Sequence, residues 1–324
     1  MLERTQEEIM RKWKTHEPPL VSVSCITYNH ELYIQEAIDS FLMQETDFPF
    51  EVLIHDDAST DNTATLIREY EKKYPDIIKP IYQTENQYSK GVRMISIKFN
   101  FTRAKGKYIA LCEGDDYWTD ASKLQLQVEY MENHPEVSLS FHNSKVKFAE
   151  KIRRTKNFCG KKMKPFFSTQ DIILKSWFIP TQSILLRRTY LQSVPDSFDQ
   201  IYNGDWAIQL ICSTYGLIGY IDLTMSVYRK HETSLSNTVG KDWINRFDKV
   251  MLLLDVFNEY TNKKFNQEIN ARKNAILKIK KREKQRVELK KRKSFLLYIF
   301  FPKEILKVIL LTFISYINKL STRQ

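Results

Sequence analysis

Residues 108–118, Y-I-A-L-C-E-G-D-D-Y-W, constrain the fold more than any other part of the sequence. The first five residues are apolar or nearly so, which is typical of a strand buried on both faces of a sheet. The run ends abruptly in three carboxylates around one glycine. Carboxylates directly after a buried strand occupy the edge at which open α/β sheets bind ligands. The stretch therefore predicts a ligand site at the carboxyl edge of a mostly parallel sheet.

The acidic turn itself has two interpretations. Divalent cations such as Mg²⁺ or Mn²⁺ take oxygen ligands, often one or two carboxylates together with the phosphate oxygens of a substrate. Glu113 and Asp115 alternate around Gly114, so both can turn toward one cation. Because Asp is a common N-cap residue, a polar turn that caps the following helix is the alternative.

The unit of strand, polar loop and helix recurs along the first 135 residues. β-rich strands are predicted at 20–26, 50–54, 77–82 and 108–112, and the first two are followed by T-Y-N-H and H-D-D-A-S-T-D and then by amphipathic helices. Such alternation predicts an α/β fold with a mostly parallel central sheet flanked by helices. Further along, we expect a strand with one polar face at 137–142, a mobile basic loop at 149–165, a helix at 204–215, and a strand or strand pair at 217–228.

The formal charge of +11 is concentrated at one end of the chain. Residues 261–324 contain 18 Lys and Arg against 4 Asp and Glu, so the first 260 residues are slightly acidic. This asymmetry argues against a nucleic-acid groove through the main body and predicts a basic tail on a nearly neutral domain.

The sequence is not typical of an exported, disulfide-bonded protein. Its four cysteines are far apart, and Cys25 and Cys112 fall within apolar runs, so we expect reduced core thiols. The charged N-terminus lacks the apolar core of a signal peptide. We therefore expect a cytoplasmic protein.

Residues 241–324 predict a helical, basic C-terminal extension. The basic run at 278–293 is followed by two apolar pieces, 295–301 and 305–317. Neither reaches the roughly 18 apolar residues that span a bilayer. A basic run beside apolar helices favours peripheral binding to an anionic membrane surface, here the inner face of the plasma membrane. Packing of these helices on the main domain or on a partner chain is the alternative.

The order of motifs from about residue 20 to 235 resembles the family 2 glycosyltransferases, which have the GT-A fold and transfer a sugar from a nucleotide diphosphate to an acceptor. Thr27, Tyr28 and Asn29 (T-Y-N) are similar to the first nucleotide-contacting loop of this family. H-D-D-A-S-T-D resembles the second loop, in which Asp57 would meet the base while Ser59 and the following acid cap the helix.

The remaining site residues are also implied by the resemblance. A-K-G-K-Y-I-A-L-C-E-G-D-D-Y-W is similar to the strand and D-x-D motif of the family, with Glu113 where Asp is common. N-G-D-W-A-I-Q-L resembles the motif that supplies the catalytic base, which would be Asp205. Y-R-K-H-E-T-S-L-S resembles a late loop over the pyrophosphate, which implicates Arg229 and His231. Mn²⁺ or Mg²⁺ would be held by Asp115, with help from Glu113 and His231.

Several of these residues have simpler interpretations. Asp205 can act as an ordinary helix cap, and His231 can be a surface histidine. Arg93 and Lys105 are candidates for phosphate contacts, with plain solvation as the alternative.

The resemblance implies a metal-dependent, inverting glycosyltransferase with a UDP-sugar donor and a glycan or lipid-linked glycan acceptor, as in surface polysaccharide synthesis. Residues 1–240 would form the GT-A domain, with a nucleotide-binding half at about 20–120 and an acceptor half at 121–240. A sugar nucleotidyltransferase is one rival, although such enzymes carry a glycine-rich loop after the first strand and this chain has T-Y-N-H-E there. A non-catalytic nucleotide-sugar-binding partner subunit is another. The motifs leave the sugar, the linkage and the oligomeric state open.

Overall fold

A computed structural model describes residues 4–15, 18–148, 155–175, 177–231 and 243–300 of the chain. The strands of this part are β1 (Val21–Thr27), β2 (Phe50–Asp56), β3 (Ile78–Tyr82), β4 (Tyr108–Leu111), β5 (Tyr117–Trp118), β6 (Val137–Phe148), β7 (Lys156–Asn157), β8 (Phe166–Phe167), β9 (Leu185–Arg187) and β10 (Leu217–Lys230). Its α-helices are α1 (Gln6–Met10), α2 (Ile34–Leu42), α3 (Thr63–Lys73), α4 (Lys123–Asn133), α5 (Thr169–Leu174), α6 (Gly204–Ser213), α7 (Trp243–Tyr260) and α8 (Asn266–Phe300). A π-helix covers Ser96–Phe101, and short 3-10 helices cover Thr181–Ser183, Arg188–Leu191 and Asp196–Gln200.

The strands form one mixed sheet in the order β3-β2-β1-β4-β9-β6-β10-β5. The β3, β2, β1 and β4 strands are mutually parallel, as are β6 and β10, while β9 runs antiparallel between β4 and β6. The predicted α/β class with a mostly parallel central sheet flanked by helices is confirmed. All the parallel strands end at the same edge of the sheet, so the loops that follow them are brought together there.

The part of the sheet formed by β1, β2 and β4 lies at the centre of the hydrophobic core. These strands are almost completely buried. One face of β1 is apolar, whereas the serines of its other face hydrogen-bond to buried polar side chains, as Ser22 does to Glu51 of β2. Ala37, Ile38 and Phe41 form the buried face of α2, and the hydroxyl of Tyr70 on α3 donates to Asp39 of α2. From the π-helix, the buried amide of Asn100 donates to the carbonyls of Cys25 and Leu53 and so ties β1 to β2. The four cysteines are free and buried, as expected.

The polar face of β6 is buried, and the strand continues to Phe148 rather than ending at 142. Since β6 lies between β9 and β10, its serines contact other polar groups inside the protein. Ser144 bonds Ser226 of β10 at 2.5 Å, and Gln127 of α4 donates to Ser140. Polar alternation along this strand therefore marks a buried hydrogen-bonded layer.

The segment expected to be a mobile loop, 149–165, contains the short strand β7 paired with β6, while residues 149–154 lie outside the described residues. The predicted strand at 217–228 is one continuous strand, β10, whose irregular register against β6 absorbs the extra residues. Helix α7 ends at Tyr260 and a separate helix, α8, follows. Left-handed backbone at Asn262 and Lys263 breaks the helical path between them.

The chain divides into two compact units, residues 1–272 and 273–324. This division falls later than residue 240, because α7 packs on α6 and on the 3-10 helix Asp196–Gln200 of the first unit. The apolar piece at 305–317 lies outside the described residues. Among the helices described here, none combines the length and apolar character that crossing a membrane requires.

Candidate active site

The loops after β1, β2 and β4 meet at the carboxyl edge of the sheet, where the sequence predicts a ligand site. The backbone N–H of Asp57 donates to the carbonyl of Thr27, and that of Gly114 donates to the carbonyl of Ile26. These bonds are short extensions of the parallel ladders, and they fix the D-D-A-S-T and E-G-D-D loops on either side of T-Y-N-H. The structure therefore brings three of the predicted motifs together.

The first two loops bind each other through side chains of the predicted nucleotide site. Asn29 has a left-handed backbone, with φ of 54°, and its N–H donates to the hydroxyl of Ser59 at 2.9 Å. The amide oxygen of Asn29 accepts from the N–H of Thr60 at 2.8 Å. Tyr28, which lies between these contacts and the strand, is 44% exposed. The T-Y-N and D-A-S-T segments thus form one surface at the edge of the sheet.

Asp57 is buried and its carboxylate holds the next loop. Its two oxygens accept from the backbone N–H groups of Gln87 and Tyr88, at 2.7 and 3.0 Å. Each carboxylate oxygen has a second lone pair, so these bonds leave capacity for a further donor. The guanidinium of Arg93 lies 4.4 Å from the ring centroid of Tyr88 and 4.2 Å from that of Tyr202, so it joins this loop to the segment before α6.

The acidic loop after β4 is joined to the end of β10. The Nε2 atom of His231 lies 2.9 Å from Oδ2 of Asp115, and both residues are buried. The guanidinium of Arg229 donates to the carbonyl of Asp115 at 2.9 Å, and the backbone N–H of Arg229 donates to Asp116 at 2.7 Å. Arg229 is 4% exposed and also pairs with Glu36. Arg229 therefore orients the acidic loop, whereas the family resemblance implies that Arg229 contacts the pyrophosphate.

The electrostatics differ along this loop. Burial would raise the pKa of Asp115, but the hydrogen bond from His231 and the charge that His30 carries when it is protonated outweigh it and lower the pKa. Burial and the charge of Asp115 raise the pKa of Asp116 well above its ordinary value. Burial also lowers the pKa of His30, so its imidazole is neutral at pH 7. A neutral imidazole beside an ionised carboxylate is the protonation state that binds a cation.

His30, Asp115 and His231 each offer one ligand atom, and these atoms lie within 4.8 Å of one another. Oδ1 of Asp115 is buried and has no hydrogen-bond partner among the described residues. An orphaned carboxylate oxygen beside two imidazoles fits a divalent cation, which would satisfy it. Two of the expected ligands, Asp115 and His231, therefore come together. The third member of this described cluster is His30, where the sequence analysis expects Glu113.

Glu113 instead lies close to Asp205. The residue as a whole is half-buried, and the pKa of its carboxyl group is raised to about 8 by loss of hydration and by the charges of Asp115 and Asp205. Asp205 is in the first turn of α6, and its Oδ1 accepts from the N–H of Trp206 at 2.8 Å. Trp206 is buried, and its indole N–H donates to the carbonyl of Ile172. The start of α6 is thereby held so that Asp205 faces the acidic loop.

Lys105 lies at the opposite edge of the sheet from these residues. Its backbone N–H donates to Glu51, and its side chain lines a cavity of about 370 Å³ with Trp13 and Lys79. Strand β4 separates it from the acidic loop, and four extended residues span about 13 Å. The expected nucleotide contact does not fit this position, because Lys105 precedes β4 whereas the site follows it.

His30 is the residue of this cluster to which the sequence motifs assign no role. It belongs to the T-Y-N-H segment, directly after the predicted nucleotide residues. A histidine at the carboxyl end of a buried strand, on the same edge as the acidic loop, is the signal that could have identified it. His30 and Asp115 are 85 positions apart in the sequence, so no local pattern shows that they lie close together.

The sheet order and the convergence of these loops define the GT-A class of α/β folds. The sequence model of glycosyl transferase family 2 matches residues 22–194, and the chain belongs to this family. An uncharacterised protein of Mycobacterium tuberculosis is 39% identical over 226 residues, which are 68% of this chain and 62% of the relative. The chain thus matches less than two thirds of that relative's length.

Two further comparisons concern proteins with named ligands. UDP-Glc:alpha-D-GlcNAc-diphosphoundecaprenol beta-1,3-glucosyltransferase WfgD of Escherichia coli is 29% identical over 234 residues, 71% of this chain and 84% of that enzyme. S. aureus TarS residues 1–349, solved in complex with UDP-GlcNAc, has a TM-score of 0.53 at 20% identity over 76% of this chain and 72% of that chain. The likeness to TarS is a likeness of fold.

Proposed function

We propose that this protein is an inverting glycosyltransferase that moves a sugar from a UDP-sugar to an acceptor hydroxyl. The observation that carries the proposal is the meeting of Asp57, the Asp115–His231 pair and Asp205 at one edge of the sheet. Asp57 stands at the T-Y-N and D-A-S-T surface, where the family resemblance expects the nucleotide base. Asp205 reaches the same acidic loop from the other half of the domain, since its charge acts on Glu113.

Asp205 is the proposed general base. Its carboxylate would accept the proton of the acceptor hydroxyl while the hydroxyl oxygen attacks the anomeric carbon and the bond to the diphosphate breaks. A single displacement of this kind inverts the anomeric configuration. The hydrogen bond from the N–H of Trp206 to Oδ1 of Asp205 orients the carboxylate. Since the pKa of Glu113 is raised to about 8, its carboxyl group is mostly protonated near pH 7 and adds no negative charge beside Asp205.

Asp115 and His231 would hold a divalent cation, Mn²⁺ or Mg²⁺. When bound, such a cation stabilises the negative charge that develops on the departing diphosphate. Arg229 holds the Asp115 carbonyl, so the carboxylate is fixed before substrate arrives. Glu113, expected as a further ligand, is not part of the His30–Asp115–His231 cluster and has the weaker case.

The donor and acceptor proposals draw on the relatives. The E. coli relative is named for UDP-Glc and for an acceptor linked to diphosphoundecaprenol, a lipid. A lipid-linked glycan acceptor would agree with the basic run of residues 278–293, which is attracted to anionic lipid headgroups. We accordingly propose surface polysaccharide synthesis, in the cytoplasm at the inner face of the plasma membrane.

The activity is tested by incubating the full chain with Mn²⁺, a panel of UDP-sugars and a lipid-linked glycan, and by following release of UDP. Asp205→Asn should bind UDP-sugar within about threefold of the wild-type affinity while its kcat falls by about 10²- to 10⁴-fold. Asp196→Asn, an exposed aspartate nine residues earlier, is the matched control and should retain full activity. An active Asp205→Asn enzyme would remove the base assignment. Release of pyrophosphate from UTP and a sugar phosphate would instead indicate a sugar nucleotidyltransferase. Binding of UDP-sugar without any product would indicate a non-catalytic binding subunit.

Membrane binding is tested separately with vesicles. Lys281, Arg282 and Lys284 are exposed on α8, and their joint replacement by Glu reverses the local charge. We expect the wild-type chain to cosediment with vesicles containing phosphatidylglycerol and the triple variant to lose most of this binding. Equal sedimentation of both, or equal binding to neutral vesicles, would contradict an electrostatic membrane contact.

A further inference from the structure

His30 is a half-buried imidazole to which the proposed chemistry gives no role. Its side chain is 18% exposed, and its Nε2 atom lies 4.0 Å from Oδ2 of Asp115. The ring faces that of His231 at a centroid distance of 6.2 Å, edge to face. Histidines from two loops, after β1 and at the end of β10, therefore flank the same carboxylate.

The orientation of His30 is fixed by two contacts on its other side. Its Nδ1 atom lies 3.1 Å from the hydroxyl oxygen of Thr27, and its backbone N–H donates to the hydroxyl of Thr63 at 2.8 Å. With Nδ1 protonated and donating to Thr27, the lone pair of Nε2 points toward Asp115. Metal-binding histidines usually donate their other ring N–H to such a partner, which fixes the tautomer and the ring plane.

Gly114 allows the acidic loop to approach this pair. A Cβ atom at position 114 would lie 2.6 Å from the hydroxyl oxygen of Thr27 and 3.1 Å from Nδ1 of His30. Any side chain there would push the acidic loop away from the Thr27–His30 pair. The glycine between Glu113 and Asp115 therefore has a geometric role, which is to seat Asp115 against His30.

We propose that His30 is a protein ligand of the divalent cation, together with Asp115 and His231, and that this set selects Mn²⁺ over Mg²⁺. Two imidazole nitrogens and one carboxylate suit a first-row transition cation, whereas Mg²⁺ prefers oxygen ligands in near-ideal octahedral geometry. The proposal deepens the glycosyltransferase function proposed above and rests on it for the presence of a cation. It gives Thr27 a positioning role through His30, in addition to its place in the nucleotide loop.

The same geometry couples the cation to the nucleotide. His30 follows Asn29, whose backbone and side chain bind Ser59 and Thr60 of the second loop. A cation held by His30 thus ties the T-Y-N-H segment to the acidic loop after β4. UDP should bind more tightly to the wild-type chain when Mn²⁺ is present, and His30→Ala should lose most of that gain.

The test is direct Mn²⁺ binding to the full chain, measured by electron paramagnetic resonance in the absence of nucleotide. His30→Ala should bind Mn²⁺ at least about tenfold more weakly than the wild type, the size expected when a ligand or its support is lost. Thr27→Val keeps His30 but removes the acceptor of its Nδ1–H, and should also weaken Mn²⁺ binding. Thr27→Ser keeps the hydroxyl acceptor and should bind Mn²⁺ as the wild type does. Mg²⁺ binding, followed by competition, should be weaker than Mn²⁺ binding in the wild type and change less in His30→Ala.

Electron spin echo modulation provides a second readout, since it detects imidazole nitrogens bound to Mn²⁺. Two such nitrogens are expected in the wild type and one in His30→Ala. His134→Ala is the control, because His134 lies at the end of α4 beside Glu136 and should leave both readouts unchanged. Circular dichroism melts verify that each variant is folded.

Mn²⁺ affinity within threefold of wild type in His30→Ala, or an unchanged nitrogen count, would overturn the proposal. If the His30→Ala chain keeps its Mn²⁺ affinity and still transfers sugar, the proposed function holds but His30 is not a ligand. Conversely, the expected Mn²⁺ binding in a chain that turns over no nucleotide sugar would support the ligand set and refute the transferase activity.

Discussion

Replacing Lys123 is a sharp test of the energetics of this fold. Lys123 opens α4, its side chain is completely buried, and its Nζ has no hydrogen-bond partner among the described residues. Nζ lies 3.8 Å from the centroid of the Trp118 ring, whose face offers only partial compensation for lost water. Burial lowers the pKa of Lys123 to about 7 from an ordinary 10.5, because the charged form loses its hydration.

The lowered pKa makes stability depend on pH. Between about pH 7 and pH 10.5 the unfolded chain keeps a proton that the folded chain releases, so the free energy of unfolding rises with pH across this range and levels off below pH 7. One unit of pKa corresponds to about 1.4 kcal/mol. Relative to a side chain that is neutral in both states, Lys123 therefore lowers the free energy of unfolding by about 4 kcal/mol at pH 7 and about 2 kcal/mol at pH 9.

Lys123→Met keeps an unbranched apolar stem against Trp118 and removes the charge. The small void left by the ammonium group costs about 1 kcal/mol of stability. Subtracting this from the gain, we expect the free energy of unfolding to rise by about 3 kcal/mol at pH 7 and about 1 kcal/mol at pH 9. Urea denaturation of the full chain, followed by circular dichroism at both pH values, measures the difference. The control is Lys72→Met on an exposed face of α3, which should change stability by less than about 0.5 kcal/mol at either pH. A Lys123→Met protein destabilised equally at pH 7 and pH 9 would refute the reasoning, since it would mean that the ammonium group is well solvated or paired in the folded chain.

Two backbone positions give further predictions. Ala58, between Asp57 and Ser59, has φ of 60°, a conformation that costs a residue with Cβ about 1 kcal/mol, so Ala58→Gly should raise the free energy of unfolding by about that amount; an unchanged or lower midpoint in urea would contradict this. Gly106→Ala should destabilise by about 3 kcal/mol or more, because a Cβ there would lie 2.6 to 2.8 Å from backbone atoms of β1 and β4 that cannot move aside. Gly160→Ala meets nothing within 4 Å and is the control, and equal melting temperatures for both alanine variants would disprove the steric argument.

The parallel half of the sheet was predictable because its strands carry a strong local signal. The run 108–112 is apolar on both faces, and 50–54 is apolar except for Glu51. A strand of that kind is stable only between two covering layers. Once such strands are parallel, their carboxyl ends share an edge. The convergence of Asp57 and Asp115 follows from this argument without coordinates.

The prediction for β6 illustrates where local pattern is insufficient. Alternating serine and apolar residues predict a strand with one polar face, but the pattern does not say what that face contacts. In the structure the polar face is buried against Gln127 and Ser226. The position of β6 between β9 and β10, which is a property of the whole sheet, decided the outcome.

The metal ligands and Lys105 differ from prediction for a related reason. Glu113 and Asp115 are neighbours in sequence, which suggested a shared cation, yet the loop turns Asp115 toward His30 and His231 while Glu113 lies close to Asp205. Lys105 is close to the acidic motif in sequence, but the strand between them carries it to the other edge. Proximity along the chain was a poor guide to proximity in space at both positions.

By itself, the sequence determined the α/β class, the edge of the sheet that carries the site, and the acidic residues available there, because burial and periodicity act within single strands and helices. Only the tertiary structure decided that His30 joins Asp115 and His231, that Arg229 orients the acidic loop, and that Asp205 faces Glu113. Each of these contacts joins segments far apart in sequence, and their distances depend on strand order and on the packing of α6 against the sheet. A few ångströms determine whether side chains share a ligand, and that precision arises only when the whole domain is packed.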